Sequence, residues 1–556
     1  MSRKKKISKK SDKQTPLSVS WRESVLKRWK SPKTPYVLLA LILILASALR
    51  IYKADQPLMW MDEIYSLGVS TGQYQGHMDS HFPLDVVVKN PANHSSIKTT
   101  EPISTTWKYH REFDVHPPLY HTLLHFWRIL FGDSYISVRV LSIGPSILSI
   151  VVLFFLGSRI FDKTTGLWAA LLMCLATPQI VYAQEVRGYS LLISFGISAA
   201  LVLIDIEQSG PKLWSAISLV LLSFCLAFTH YFSFGLLVAL SIYSLIRLRG
   251  KSLACMIGSF AIGAVIFLVI WGPSFWQQFF GESTIRDHYL ATRQDPSVAQ
   301  HCFEFLAGWP ERLFLHLPPE YLTRPPLLIF LYLLPGVAIF WKRELLLPWI
   351  WAICTAGFVW GMDYRRDTFH FIEIRYTLLA APAVYMLVAA GLFRDRRYVV
   401  YNSILPCILS IFLIFQIPKA YISYKESWFE LSELIKKNGG PNDVIILPHA
   451  GTDIQVYWPQ IIWTAISYYN YNPGRPMAIP SKPLTNEMME QIGWGRNAWI
   501  LTHVPDFPQS ASMDWPAKWI PGCKVLGATV AQGRATVFYV TLPEAPLRLF
   551  TPSDGN

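Results

Sequence analysis

Apolar runs of about 16 to 22 residues recur along this chain, each close to the length a helix needs to cross the hydrocarbon core of a bilayer. After a first run from Tyr36 to Ile51 they fall near 137–158, 165–182, 189–206, 213–230, 232–246, 252–271, 326–341, 345–361, 376–393 and 400–418, which makes about eleven spans. A polytopic α-helical membrane protein is expected. The composition agrees: 52% hydrophobic, 14% aromatic and only 16% charged, against about 25% charged for ordinary globular domains, which excludes disorder and collagen. The 556 residues leave room for a modest soluble portion beside the spans.

The net charge of +13 does not indicate a nucleic-acid partner, because the basic residues form short clusters between apolar runs, with one concentration in the tail. Residues 1–35 read as a basic cytoplasmic tail that sends the first helix outward. Ala46-Ser47-Ala48 is similar to a cleavage site, but the long tail and the many later spans indicate an uncleaved anchor. The segment Leu119 to Phe131 decides the parity. Its apolar residues Leu119, Leu123, Phe126, Trp127 and Leu130 lie on one face and His121, His125 and Arg128 on another, so it is expected to lie at the membrane surface. That assignment leaves Arg159 and Lys163, Arg247 to Lys251, Lys342 and Arg343, and Arg394 to Arg397 all inside.

Three hydrophilic pieces then face outward: 53–136, 272–325 and everything after about 420. The last (421–556) reads as a small α/β domain with a helix around Ser427 to Lys436, strands at Val444 to Leu447 and Ala498 to Thr502, and a hairpin from Lys524 to Val530 and Ala535 to Leu542. No glycine-rich phosphate loop accompanies it. Of the seven cysteines, only Cys302 and Cys523 lie outside apolar runs, so neither a disulfide framework nor a zinc spacing is present.

The outer pieces carry the polar motifs. Trp60-Met61-Asp62-Glu63-Ile64-Tyr65-Ser66 puts two adjacent carboxylates just past the first span, at interface depth, where ionised groups are costly to hold. Asp114-Val115-His116-Pro117-Pro118-Leu119-Tyr120 closes the same loop and places His116 at a helix start, which favours an anion. Gln184-Glu185-Val186-Arg187-Gly188-Tyr189 forms the next short outer turn. Glu373-Ile374-Arg375-Tyr376 stands at the outer end of a late span, and Arg139 at the outer start of an early one.

In order and sidedness, W-x-D-E-x-x-S, D-x-H-P-P-L-Y, Q-E-x-R-x-Y and R-Y-x-L-x-x-x-P resemble the GT-C class of membrane glycosyltransferases over about residues 36–420. Within it the likeness is to glycosyltransferase family 39, the group of the protein O-mannosyltransferases and the lipid A aminoarabinose transferase. The resemblance implies the GT-C fold and transfer of a sugar from a polyprenyl-phosphate donor to an extracytoplasmic acceptor. It implies Asp62 as catalytic base with Glu63 beside it, His116 against the donor phosphate, and Arg187 and Arg375 as further phosphate-binding or structural cations. Asp114, Arg139, Glu185, Tyr189 and Tyr376 support them. Some relatives have lysine at the position of His116, and Q-E-x-R replaces an aspartate-centred motif at Glu185.

The chemistry is consistent with one base. An attacking hydroxyl or amine must lose a proton, whereas a phosphate leaving group is stable as an anion, so the paired acids of glycoside hydrolysis are not needed. Cations and helix N–H groups stabilise the departing charge, and displacement opposite the phosphate inverts the anomeric centre. No cofactor is expected and no metal site is assigned, a divalent metal being the alternative: His121 and His125 at i, i+4, with His77, Asp79, His81, His288 and His301, form no recognisable ligand set. Asn93-His94-Ser95 is a glycosylation sequon on the outer side. Two other readings exist: a lipid or solute transporter, which would put charges at the midplane, and a non-catalytic assembly subunit, which would tolerate Asp62→Asn.

Overall fold

The computed structural model describes residues 32–72, 84–89, 101–112, 114–280, 308–316, 343–366, 368, 370–390, 399–422, 428–448, 463, 466–469, 476–503, 514–531 and 535–544. The expected span at 326–341, the sequon, the basic tail to residue 31, Lys342, Arg394 to Arg397, and His77, Asp79, His81, His288, His301 and Cys302 lie outside them.

The first apolar run is helix α1 (Thr34–Ile51), and the loop region that follows holds α2 (Met61–Thr71), strand β1 (Val87–Val88), α3 (Ile103–Glu112) and α4 (Leu119–Phe131). A membrane bundle continues through α5 (Tyr135–Ile160), α6 (Lys163–Leu175), α7 (Tyr189–Ser209), α8 (Leu213–Thr229), α9 (Ser233–Arg247), α10 (Gly250–Phe280), α11 (Leu346–Arg366), α12 (Ala381–Ala390) and α13 (Val399–Gln416). Six described helices are long and apolar enough to cross a membrane, and four shorter apolar ones accompany them. The helix starts follow local chemistry. Ser134 caps α5 by accepting from Ser137 N at 3.3 Å, and Asp162 caps α6 by accepting from Thr165 N at 2.9 Å. Between them α5 and α6 meet through glycine, since a Cβ on Gly157 would stand 2.9 Å from Gly166 Cα.

The run at 376–393 opens as a short helix (Ile374–Thr377) and a 3-10 turn (Leu378–Ala380) before α12, and two other spans differ more from expectation. The run at 165–182 is broken: α6 ends at Leu175 and a separate turn, Thr177–Val181, follows. Pro178 has no N–H to continue the ladder, and Thr177 N turns to Phe314 O at 3.1 Å. The carbonyls freed at the end of α6 are met by Arg50, fully buried on the last turn of α1, whose guanidinium reaches Met173 O (3.2 Å), Cys174 O (3.3 Å) and Ser146 Oγ (2.8 Å). Replacing Arg50 with Met leaves those acceptors without this donor, and we expect a loss of about 2 kcal/mol in unfolding free energy, measured in detergent; an unchanged midpoint would show that the broken end is held by something else. The second difference is α10, which continues nine residues past the expected end at 271, through Pro273 to Phe280. Trp271 and Phe279 pack with Phe228, Tyr231 and Phe267, and this aromatic contact carries the helix beyond its proline.

The polar face of α4 does not meet water. His125 Nδ1 lies 2.7 Å from Ser70 O, and Arg128 Nη1 donates to Leu67 O at 2.7 Å, so α4 covers the carbonyl end of α2. Its other face, with Phe126, Ile129, Leu130 and Phe131, is exposed.

After α14 (Trp428–Asn438) come β2 (Val444–Ile446), β3 (Met477–Ala478), β4 (Asn497–His503), β5 (Lys524–Ala531) and β6 (Ala535–Thr541). They form one mixed sheet in the order β1-β3-β2-β4-β6-β5. β2 runs parallel to β3 and β4, while β6 runs antiparallel to β4 and β5. Sequence reading did not anticipate β1: Val87 and Val88 pair antiparallel with Ala478 and Met477, so the C-terminal sheet is completed by a strand from the loop region between α1 and α5. The junction is anchored by Asp85, which accepts from Ser481 N (2.8 Å), and by Tyr469, whose hydroxyl accepts from Met59 N (2.9 Å). Met59, Ile64, Leu67 and Leu124 share one apolar cluster with Trp428, Ile445 and Trp499. The sheet is therefore packed directly on the loop that bears Asp62.

Candidate active site

Helix α2 begins within the Trp60 motif. Trp60 is the extended N-cap residue, and Glu63 Oε2 accepts from its backbone N–H at 3.4 Å. Adjacent residues on a helix point about 100° apart, so the two carboxylates diverge. The Asp62 side chain is 30% exposed, whereas that of Glu63 is only 3% exposed. Glu63 Oε1 lies 3.3 Å from Arg139 Nε and accepts from Val186 N at 3.2 Å. Arg139 also donates to Ala54 O (3.0 Å), Gln56 O (2.7 Å) and Leu58 O (3.0 Å). This buried pair ties the exit from α1, the start of α2 and the Glu185 turn together.

Asp62 faces two cations. Its Oδ2 is 3.2 Å from Arg375 Nη1 and 4.0 Å from Arg187 Nε. Burial opposes the charge of Arg187, but Tyr189 and Asp62 beside it push its pKa above the ordinary value. Arg187 lies 5.9 Å from the centre of the Tyr189 ring, and Arg375 lies 5.1 Å from that of Trp60 and 5.2 Å from that of Tyr376. Glu185 is buried in the same turn as Arg187, where its carbonyl accepts from Arg187 N at 2.8 Å.

His116 closes the arrangement from the far side. Asp114 Oδ1 accepts from Val115 N (2.6 Å) and His116 N (3.1 Å) and stands 3.0 Å from His116 Nδ1, which fixes the imidazole just before Pro117 and Pro118. Burial alone would raise the Asp114 carboxyl, but the His110 and His116 imidazoles outweigh it and hold the group well below the usual carboxylate range.

His230 was not singled out from sequence, although it stands in the short turn between α8 and α9. Its ring centre is 5.3 Å from that of His116, 5.9 Å from that of Tyr376 and 6.4 Å from that of Tyr189. Burial, with the nearby charges of His116 and Arg187, holds its pKa well below the ordinary histidine value. Since Nδ1 accepts from Phe232 N at 3.2 Å, the proton of the neutral ring is on Nε2. A histidine in a connector on the side of Asp62 was the available signal.

The result is a ring of Asp62, Arg187, Tyr189, His230, His116, Tyr376 and Arg375, brought together from five separated stretches of chain. Three buried donors around it, Arg375 Nε, the Tyr189 hydroxyl and His230 Nε2, have no hydrogen-bond partner among the described residues. Buried donors without a protein acceptor among the described residues can serve an oxyanion.

A second cluster lies next to it. Of the histidines noted in the sequence, His125 turns to Ser70 O, whereas His121 meets His110 and Asp114, all three buried. Their spacing matches no familiar pattern because α3 and α4 fold back on each other around Asp114.

Residues 115–276 match the family model of the dolichyl-phosphate-mannose-protein mannosyltransferases, a stretch that runs from the residue before His116 almost to the end of α10. The fold is similar to that of ArnT from Cupriavidus metallidurans in the apo state, with TM-score 0.50 and 12% identity, covering 92% of this chain and 98% of that one. The same protein bound to undecaprenyl phosphate gives 0.46 and 12%, with 92% and 98% covered. The Archaeoglobus fulgidus oligosaccharyltransferase tethered with an acceptor peptide gives 0.45 and 12%, with 86% and 70% covered. No curated protein matches the sequence. The overall architecture is the GT-C membrane fold.

Proposed function

We propose that this integral membrane protein transfers a sugar from a polyprenyl-phosphate donor to an acceptor on the extracytoplasmic face, with Asp62 as general base and inversion at the anomeric carbon. The observation that carries the reading is the accessible Asp62 carboxylate against the Arg187 and Arg375 guanidiniums, with the buried Tyr189 hydroxyl, His230 Nε2 and Arg375 Nε beside it and without a partner among the described residues. In the absence of donor the arginines pair with Asp62. When the donor phosphate enters, it competes for Arg187 and Arg375, takes hydrogen bonds from Tyr189 and His230, and leaves Asp62 to accept the proton of the attacking hydroxyl or amine. As the bond to the phosphate breaks, the same donors stabilise the charge that develops on the leaving oxygen. Glu63 has a positioning role, because its carboxylate is committed to Arg139 and Val186 N.

The match of residues 115–276 to the family model of the dolichyl-phosphate-mannose-protein mannosyltransferases supports the donor class. About eleven spans and an outward site follow from the charge pattern. Arg159, paired with Asp205 at 2.7 Å, and Arg247, paired with Glu207 at 2.7 Å, lie at the helix ends opposite the Asp62 ring. An isoprenoid tail is confined to the bilayer, so the reacting phosphate should approach along the apolar surface between spans.

Purified protein in lipid nanodiscs should release free polyprenyl phosphate from at least one of a panel of polyprenyl-phosphate sugars, with an inverted linkage in the product when an acceptor is supplied. Folded protein that moves a labelled donor lipid across a vesicle bilayer without cleaving it would instead establish the transporter.

A further inference from the structure

We propose that His110, Asp114 and His121 bind one divalent transition-metal ion of the zinc type, which fastens the turn carrying His116. His110 lies in the last turn of α3, Asp114 in the connector and His121 in the first turn of α4. One donor atom from each lies within 4.8 Å of the others. The three residues are 0%, 6% and 4% exposed. Both ring nitrogens of His121 and Nε2 of His110 are buried without a hydrogen-bond partner among the described residues, and Oδ2 of Asp114 is buried beside them. Several desolvated polar atoms converging in one place is an arrangement that proteins otherwise avoid.

An ion pair within the protein does not account for it. His110 Nδ1 is 2.8 Å from Asp114 Oδ2 but also faces the His116 carbonyl at 3.1 Å, and this pairing leaves His121 with neither nitrogen engaged. Neither ring nitrogen of His121 has a hydrogen-bond partner among the described residues, so the ring can offer a lone pair to a metal. The surroundings already orient the ligands: Asp114 Oδ1 is held by the Val115 and His116 backbone N–H groups, which leaves Oδ2 as the ligand atom. Two imidazoles and one carboxylate suit zinc rather than magnesium or calcium, and three protein donors leave a fourth position for water. Zinc bonds of about 2.0–2.1 Å place tetrahedral donors about 3.4 Å apart, so the cluster would contract by about an ångström on binding.

The site is independent of the transferase reading, and its test reads metal rather than turnover. Full-length protein is stripped with a chelator, loaded with zinc, passed through gel filtration and assayed for metal, in parallel with a cobalt titration followed by visible absorption. We expect about one equivalent of zinc, a cobalt d–d band, and a zinc-dependent rise in unfolding temperature. His121→Ala should lose all three, and His125→Gln, outside the cluster, should retain them. Wild-type protein that keeps less than about a tenth of an equivalent and shows no cobalt band overturns the proposal, whether or not the variant folds. So does His121→Ala that still holds a full equivalent.

Discussion

Replacing Asp62 with Asn should lower turnover by on the order of a hundredfold or more while leaving the protein folded and the donor bound. Asn keeps the size of the carboxylate and offers one oxygen to Arg375, now 3.2 Å from Asp62 Oδ2, but it cannot take a proton from the acceptor. Because the substitution also removes the anion that competes with phosphate for Arg187 and Arg375, affinity for the donor should hold or improve, so the loss should fall in kcat and not in KM. The check is polyprenyl phosphate release with and without acceptor, beside thermal unfolding of the same preparation. A variant that turns over at the wild-type rate would remove Asp62 from the chemistry and favour a non-catalytic subunit.

Arg139→Met should destabilise the protein by about 3–5 kcal/mol, because it leaves the Glu63 carboxylate buried with its charge uncompensated. It also removes three hydrogen bonds to the 54–58 segment. A companion Glu63→Gln substitution should recover part of the loss by neutralising the stranded charge, and the non-additivity of the pair measures their coupling. Denaturant unfolding in detergent reads both. A cost under about 1 kcal/mol for Arg139→Met would show that the segment is held by other contacts.

The two acids of the Asp62-Glu63 pair illustrate what a linear reading resolves. Their type and depth marked the site, but neighbouring carboxylates are indistinguishable until the helix start is known. Only then does Glu63 turn inward to Arg139 while Asp62 remains accessible. Arg139 itself was noted as one more cation at the outer surface, and its donation to three backbone carbonyls is invisible in sequence because those acceptors have no side-chain signature. The α4 stripe of His121, His125 and Arg128 was read as the polar face of a surface-lying helix, and His125 and Arg128 cover the carbonyl end of α2, because the last carbonyls of a helix need donors.

Periodicity, charge asymmetry and motif order marked most of the described helices and most of the residues that gather around Asp62, because those signals are local or depend only on the bilayer. What they could not supply is proximity between residues far apart in the chain. His230 beside His116, β1 completing a sheet built mostly from the other end of the polypeptide, and the meeting of His110, Asp114 and His121 each arise where separate segments pack together. Contacts of that kind are set by complementary shape and unmet hydrogen bonds, which no run of neighbouring residues encodes.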